Sequence, residues 1–134
     1  MKKLILIRHG NTPQKVRTPQ RGLTKVGVKR IVSISRIIRK ELDDIESCLI
    51  ISTPTDRAIQ TANILASELG IKTQEIENLR IKNLGNLAKD LDWIKSERGN
   101  LCDYYWNRSD FDQLRVESPD AFVKRVESIL TGYY

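Results

Sequence analysis

Between Lys2 and Gly70, short apolar runs alternate with amphipathic stretches of helical length, and this alternation narrows the fold more than any other feature. Residues 2–8 form an apolar run bounded by Gly10 and Pro13, which reads as a buried strand. Residues 11–22 hold prolines, basic residues and a glycine and read as a loop. A helix is expected from Thr24, whose hydroxyl can cap the first amides, to about Leu42. Ile31, Ile34, Ile38 and Leu42 recur along one face of it. Cys48–Ser52 is a second strand-like run, and Thr53-Pro54 then reads as an N-cap with proline at the first helical position. Ala58, Ala62, Leu65, Ala66 and Leu69 make the stripe of that helix, and Gly70 ends it.

Beyond Gly70 the pattern weakens. Residues 73–77 read as a strand, and Leu87, Leu91 and Ile94 as a third helix ending near Gly99. Residues 100–117 show no clear period. Ser118-Pro119-Asp120 opens a fourth helix over residues 118–131, with Phe122, Val126, Ile129 and Leu130 on one side and Gly132 beyond its end. Strands alternating with helices imply an α/β fold, three layers deep, around a mainly parallel sheet. At 134 residues, without a linker-like stretch, the chain is expected to form a single domain over residues 1–134.

Charge and cysteine content bound the partners. The net charge is +6, but the basic residues are interleaved with acids, as in Arg36, Arg39, Lys40, Glu41, Asp43 and Asp44. No aromatic residues alternate with them to stack on bases, so a solvated surface is expected and nucleic acid is not. The apolar start stops after Ile7 at Arg8-His9, too short for a secretory core, and nothing downstream is long enough for a bilayer. A cytoplasmic protein without a membrane partner is the expectation. Cys48 and Cys102 lack metal-site spacing, so reduced thiols and no metal are expected.

The candidate chemistry sits where the first two strands end. The first gives Arg8-His9-Gly10-Asn11-Thr12. In parallel sheets, ligands bind beyond the carboxyl ends of the strands. His9 is the one histidine of the chain, and a lone histidine is more often structural than catalytic. An arginine directly after an apolar strand run needs an anionic partner, and its planar fork suits phosphate. The second strand runs into Arg57 in the first turn of a helix, where amides and the helix dipole already favour an anion.

These residues, taken together, resemble the histidine phosphatase superfamily, whose fold is phosphoglycerate mutase-like. Arg8-His9-Gly10 resembles the signature at the end of that family's first strand. Leu23-Thr24-Lys25-Val26-Gly27 resembles the L-T-x-x-G that opens the following helix. The stretch from Ser52 through Arg57, Ala58, Gln60 and Thr61 to Ala62 is similar to S-P-x-x-R-A-x-Q-T-A. Glu117-Ser118, Phe122 and Arg125-Val126 resemble a later element.

The resemblance implies phosphoryl transfer through a phosphohistidine on His9, with Arg8 and Arg57 holding the phosphate and no cofactor or metal. Asn11 and Thr12 fall where the family's loop touches phosphate or substrate; equally, they read as loop residues bonding local backbone. The implied substrate is a small phosphomonoester or a protein phosphohistidine. Two departures bear on this. Ile81 stands where an L-x-E-x-x-x-G element has its proton-donating glutamate, as in the short phosphohistidine phosphatases that lack the acid. The family's second histidine follows a later strand, whereas this sequence stops at Tyr134, which reads as a truncated product, a fragment or a degenerate copy. An incomplete sheet of this kind would expose an edge for self-association. A phosphate-binding protein without turnover and a mutase-type phosphotransferase are the alternative readings.

Overall fold

A computed structural model of the chain describes residues 3–13, 21–80 and 117–133. The chain divides into two compact units, Met1–Arg80 and Ile81–Tyr134. The first contains helix α1 (Lys25–Glu41), strand β1 (Leu49–Ser52), helix α2 (Asp56–Leu69) and strand β2 (Lys72–Glu75), followed by a single 3-10 turn at Glu77–Leu79.

Helix α1 starts as its sequence dictates. The Thr24 hydroxyl accepts a hydrogen bond from Gly27 N at 3.0 Å, satisfying one of the amides that a helix start leaves open. Ile31 and Ile38 are buried on its inner face, and Ile34 and Leu42 pack at the margin. Helix α2 answers with Leu65 and Leu69, and Ile71 closes the cluster just before β2. Burying each of these aliphatic side chains contributes about 1.5–3 kcal/mol, which makes this seam the main hydrophobic support of the unit. Gly70 ends α2 with φ +74°, a left-handed cap whose amide bonds Ala66 O at 2.8 Å.

Strands β1 and β2 run parallel, with Leu49 opposite Lys72 and Ser52 opposite Glu75. Parallel neighbours need a crossover, and α2 supplies it, packing on both strands while α1 packs along α2. The architecture is α/β with a parallel sheet, as the alternation implies.

Three sequence expectations shift. Residues 3–8 join no ladder, and Leu4, Ile5, Leu6 and Ile7 are exposed, Leu6 at 83%. An apolar run becomes a strand only when a neighbour takes its N–H and C=O groups, and among the described residues β1 and β2 pair only with each other. Helix α2 begins two residues later than Thr53-Pro54 suggests. Ile76 N bonds Ser52 O at 3.0 Å, prolonging the sheet contact, and it is the Thr55 carbonyl that receives the first helical bonds, from Ala58 and Ile59. Pro54, which has no N–H to offer, occupies the turn between. The strand expected at 73–77 spans Lys72–Glu75 instead.

In the second unit, helix α3 (Pro119–Leu130) has Pro119 in its first turn and Ser118 as N-cap, the hydroxyl accepting from Ala121 N at 3.2 Å. Phe122, Val126, Ile129 and Leu130 share its half-buried side. Arg125 grips Glu117 with two hydrogen bonds, 2.7 and 2.8 Å long, and lies 5.2 Å from the centre of the Phe122 ring. The helix does not stop at a left-handed Gly132; it tightens into a 3-10 turn at Thr131–Tyr133. The third helix expected near Leu87–Ile94, and Ile81 and Cys102, lie outside the described residues. No described helix is long and apolar enough to cross a membrane.

One glycine holds the first unit's loop against its helix. A Cβ on Gly27 would collide with the backbone nitrogen and carbonyl of Asn11, and that carbonyl is itself held by Thr24 N at 2.8 Å. Alanine would gain about 1 kcal/mol in helix propensity, but overpacking against backbone costs about 1–3 kcal/mol. Gly27→Ala is therefore expected to lower the melting temperature and shift the amide resonances of residues 9–12. A variant as stable as the parent, with those resonances unmoved, would contradict this packing.

Candidate anion site

The site is built from the turn after residue 8 and the start of α2. Gly10 is buried against α1: a Cβ there would come within 3.1 Å of both the Gly27 carbonyl and the Ile31 side chain. The absence of a side chain at Gly10 thus lets residues 9–11 pack closely on α1. Its amide donates to Thr61 Oγ1 at 3.1 Å, and that hydroxyl donates in turn to Arg57 O at 2.7 Å. One threonine of α2 therefore joins the His9–Gly10 turn to the residue that carries the second arginine.

His9 is half-buried, and its Nδ1 lies 2.7 Å from Gly10 O. A carbonyl oxygen can only accept, so Nδ1 bears the proton and neutral His9 keeps its lone pair on Nε2. The imidazole is thereby set in the tautomer that a nucleophile at Nε2 needs.

A cavity of about 430 Å³ opens here, bordered by residues 8–12, Arg21 and Arg30 and, on its apolar wall, Ile31 and Ile34. Of the residues expected from sequence, Arg8, His9, Asn11 and Thr12 border this cavity; Arg57 is not among its lining residues, and its backbone is joined to Gly10 through Thr61. Among the described lining residues there are three arginines and no carboxylate. The side chain of Asn11 accepts from Arg30 Nη1 at 2.9 Å, while its backbone carbonyl receives Thr24 N. Asn11 thus borders the cavity while its side chain and its backbone carbonyl are both bonded to the α1 region rather than to local backbone.

Arg57 occupies the second position of α2. Its Nε is buried without a hydrogen-bond partner. Burial, assisted by the charge of Arg21, pulls the Arg57 pKa below the usual guanidinium value. An anion beside it would oppose both effects. The Thr55 side chain makes no cap bond at the first turn of α2, where the Asp56 carboxylate also lies.

Sequence reasoning missed Thr61, Gln60, Arg21 and Arg30. Gln60 Oε1 accepts from Leu23 N at 2.8 Å, fastening the entry to α1. Gln60 and Thr61 were visible in the stretch after Arg57, but only their contacts reveal what they hold. Arg30 reads as a solvated helix residue until α1 is folded beside residues 8–12.

The model of the histidine phosphatase superfamily (branch 1) matches residues 4–133. No curated protein matches the chain significantly. Among solved structures, mycobacterial hydrolase 1 is 18% identical, with 92% of this chain and 61% of that one covered and a TM-score of 0.65. Mycobacterial hydrolase 2 is also 18% identical, with 91% and 53% covered and a TM-score of 0.64. A mycobacterial glucosyl-3-phosphoglycerate phosphatase complexed with VO3 is 20% identical, with 92% and 60% covered and a TM-score of 0.65. These likenesses show the fold, and the chain spans less than two thirds of the length of each.

The unpartnered Arg57 Nε gives a test that separates stability from binding. A buried donor without a partner costs about 1–3 kcal/mol. Arg57→Met is expected to leave the anion-free protein as stable or more stable, by up to about 1 kcal/mol, and to abolish the rise in melting temperature caused by phosphate. A destabilised variant that still responds fully to phosphate would contradict this reading.

Proposed function

The chain belongs to the histidine phosphatase superfamily, and from that membership we propose that it transfers a phosphoryl group from a phosphorylated substrate to water through a phosphohistidine on His9. The observation that carries this reading is the His9 tautomer: Nδ1–H is committed to Gly10 O, and Nε2 keeps its lone pair beside an arginine-lined cavity.

In the first step Nε2 forms a bond to phosphorus while the bond from phosphorus to the leaving atom breaks, its electron pair departing with that atom. Arg8 and Arg57 hold the equatorial oxygens and offset the charge that accumulates there. The Gly10 carbonyl stabilises the positive charge that the imidazole acquires. In the second step a water oxygen bonds to phosphorus, the N–P bond returns its electron pair to Nε2, and the water loses a proton. Asn11 and Thr12 meet the substrate at the rim. The substrate class is a small phosphomonoester or a protein phosphohistidine. The exposed run at Leu4–Ile7 supports self-association as a further property of the chain.

Incubation with a radiolabelled phosphoramidate, followed by quenching, is expected to leave label on the protein that acid removes and base does not. His9→Ala should lose both label and turnover. Label that persists in the His9→Ala protein would place the nucleophile elsewhere, and phosphate binding without any label in the parent would favour the non-catalytic alternative.

A further inference from the structure

The cavity carries more positive charge than a single phosphoryl group and its two arginines account for. Arg30, from the second turn of α1, is exposed and borders it. Among the described residues its one polar partner is Asn11 Oδ1, at 2.9 Å. That partner is a neutral amide, so it orients the guanidinium without cancelling its charge. The fork has five N–H donors in fixed geometry, and this bond leaves the others for a ligand.

Three further observations converge on the same place. Arg30 is anchored to Asn11, whose backbone carbonyl is held by Thr24, so its guanidinium is attached to the same turn that positions His9. Ile31 and Ile34, from the same helix, give the cavity an apolar wall next to this charge. A volume of about 430 Å³ leaves room for more than orthophosphate, since it falls within the range of about 300–1,000 Å³ typical of small-molecule sites.

We propose that Arg30 is a specificity-determining residue that receives a second anionic group, so that the preferred substrate of the His9 site is a phosphomonoester bearing another phosphate or carboxylate close to the transferred one. This rests on the phosphatase reading above and narrows its substrate class. An ester with no second anionic group would leave Arg30 facing solvent and its Asn11 clamp without purpose in binding. A ligand with two separate anionic groups engages the phosphoryl pocket at His9 and the Arg30 fork together, and gains from both.

The test compares inorganic phosphate with methylenediphosphonate, a non-hydrolysable probe with two linked anionic groups, by calorimetric titration of the whole chain at one ionic strength. The parent is expected to prefer the diphosphonate by about tenfold, which corresponds to 1.4 kcal/mol. Arg30→Gln should collapse that preference towards unity, while Arg30→Lys, which keeps the charge, should retain most of it. A merely structural role for Arg30 would weaken both probes by the same factor and leave the ratio unchanged, and that result would overturn the proposal. So would a parent that binds the two probes equally. Neither titration needs a phosphohistidine. A preserved preference with no labelling of His9 would therefore overturn the phosphatase reading alone, and labelling without any preference would overturn this inference alone.

Discussion

The hydrogen-bonded line from Gly10 N to Thr61 Oγ1 and on to Arg57 O is the constraint on which the site depends. It is short and local in space, yet it joins segments 51 residues apart in sequence. The Gly10 amide is buried, so losing its acceptor would cost about 1–3 kcal/mol, enough to make the arrangement strongly preferred over alternatives. Because Gly10 also supplies the carbonyl that takes His9 Nδ1–H, the same residue fixes both where the histidine lies and which of its nitrogens is basic.

The hydrophobic seam between α1 and α2 serves this line by holding the two helices at a fixed distance. Ile31 shows the link most directly, being buried in the core, in contact range of Gly10, and part of the cavity wall. Gly27 and Gly10 permit the close approach, and Gln60 and Thr24 then close the backbone hydrogen bonds of the loop on either side. The electrostatic consequence is a concentration of guanidinium groups with an apolar wall behind them and no carboxylate among the described lining residues. Outside that lining, Arg57 adds a further guanidinium whose Nε is buried without a hydrogen-bond partner.

How much of this was legible in the sequence depends on whether the information was local. Helix α1 was readable almost to the residue because a capping threonine and an isoleucine period are local signals. The end of α2 was readable for the same reason, Gly70 being the residue that tolerates a positive φ. Its start was not, because proline at the first helical position competes with proline in a turn, and the choice was made by the distant bond from Ile76 to Ser52. Residues 3–8 show the limit most plainly: apolar content signals a strand, but pairing is a property of the neighbours. At the site, Arg8 and His9 were singled out from their place after an apolar run and Asn11 and Thr12 from the family resemblance, and the four share one cavity. Arg57 was singled out from the start of a helix, and it lies outside that lining, its backbone joined to Gly10 through Thr61. Arg30 carried no local mark, since its importance comes entirely from which face of α1 meets residues 8–12.

The account centres on His9 presenting an unprotonated Nε2 to an anion site shared with Arg57. Nitrogen-15 spectroscopy of the neutral His9 ring, with increasing inorganic phosphate, tests this most directly. The prediction is a protonated Nδ1 and an unprotonated Nε2 in the anion-free protein, with phosphate shifting both the Nε2 and the Arg57 Nε resonances. An Nε2–H tautomer, or phosphate that moves neither resonance, would contradict it.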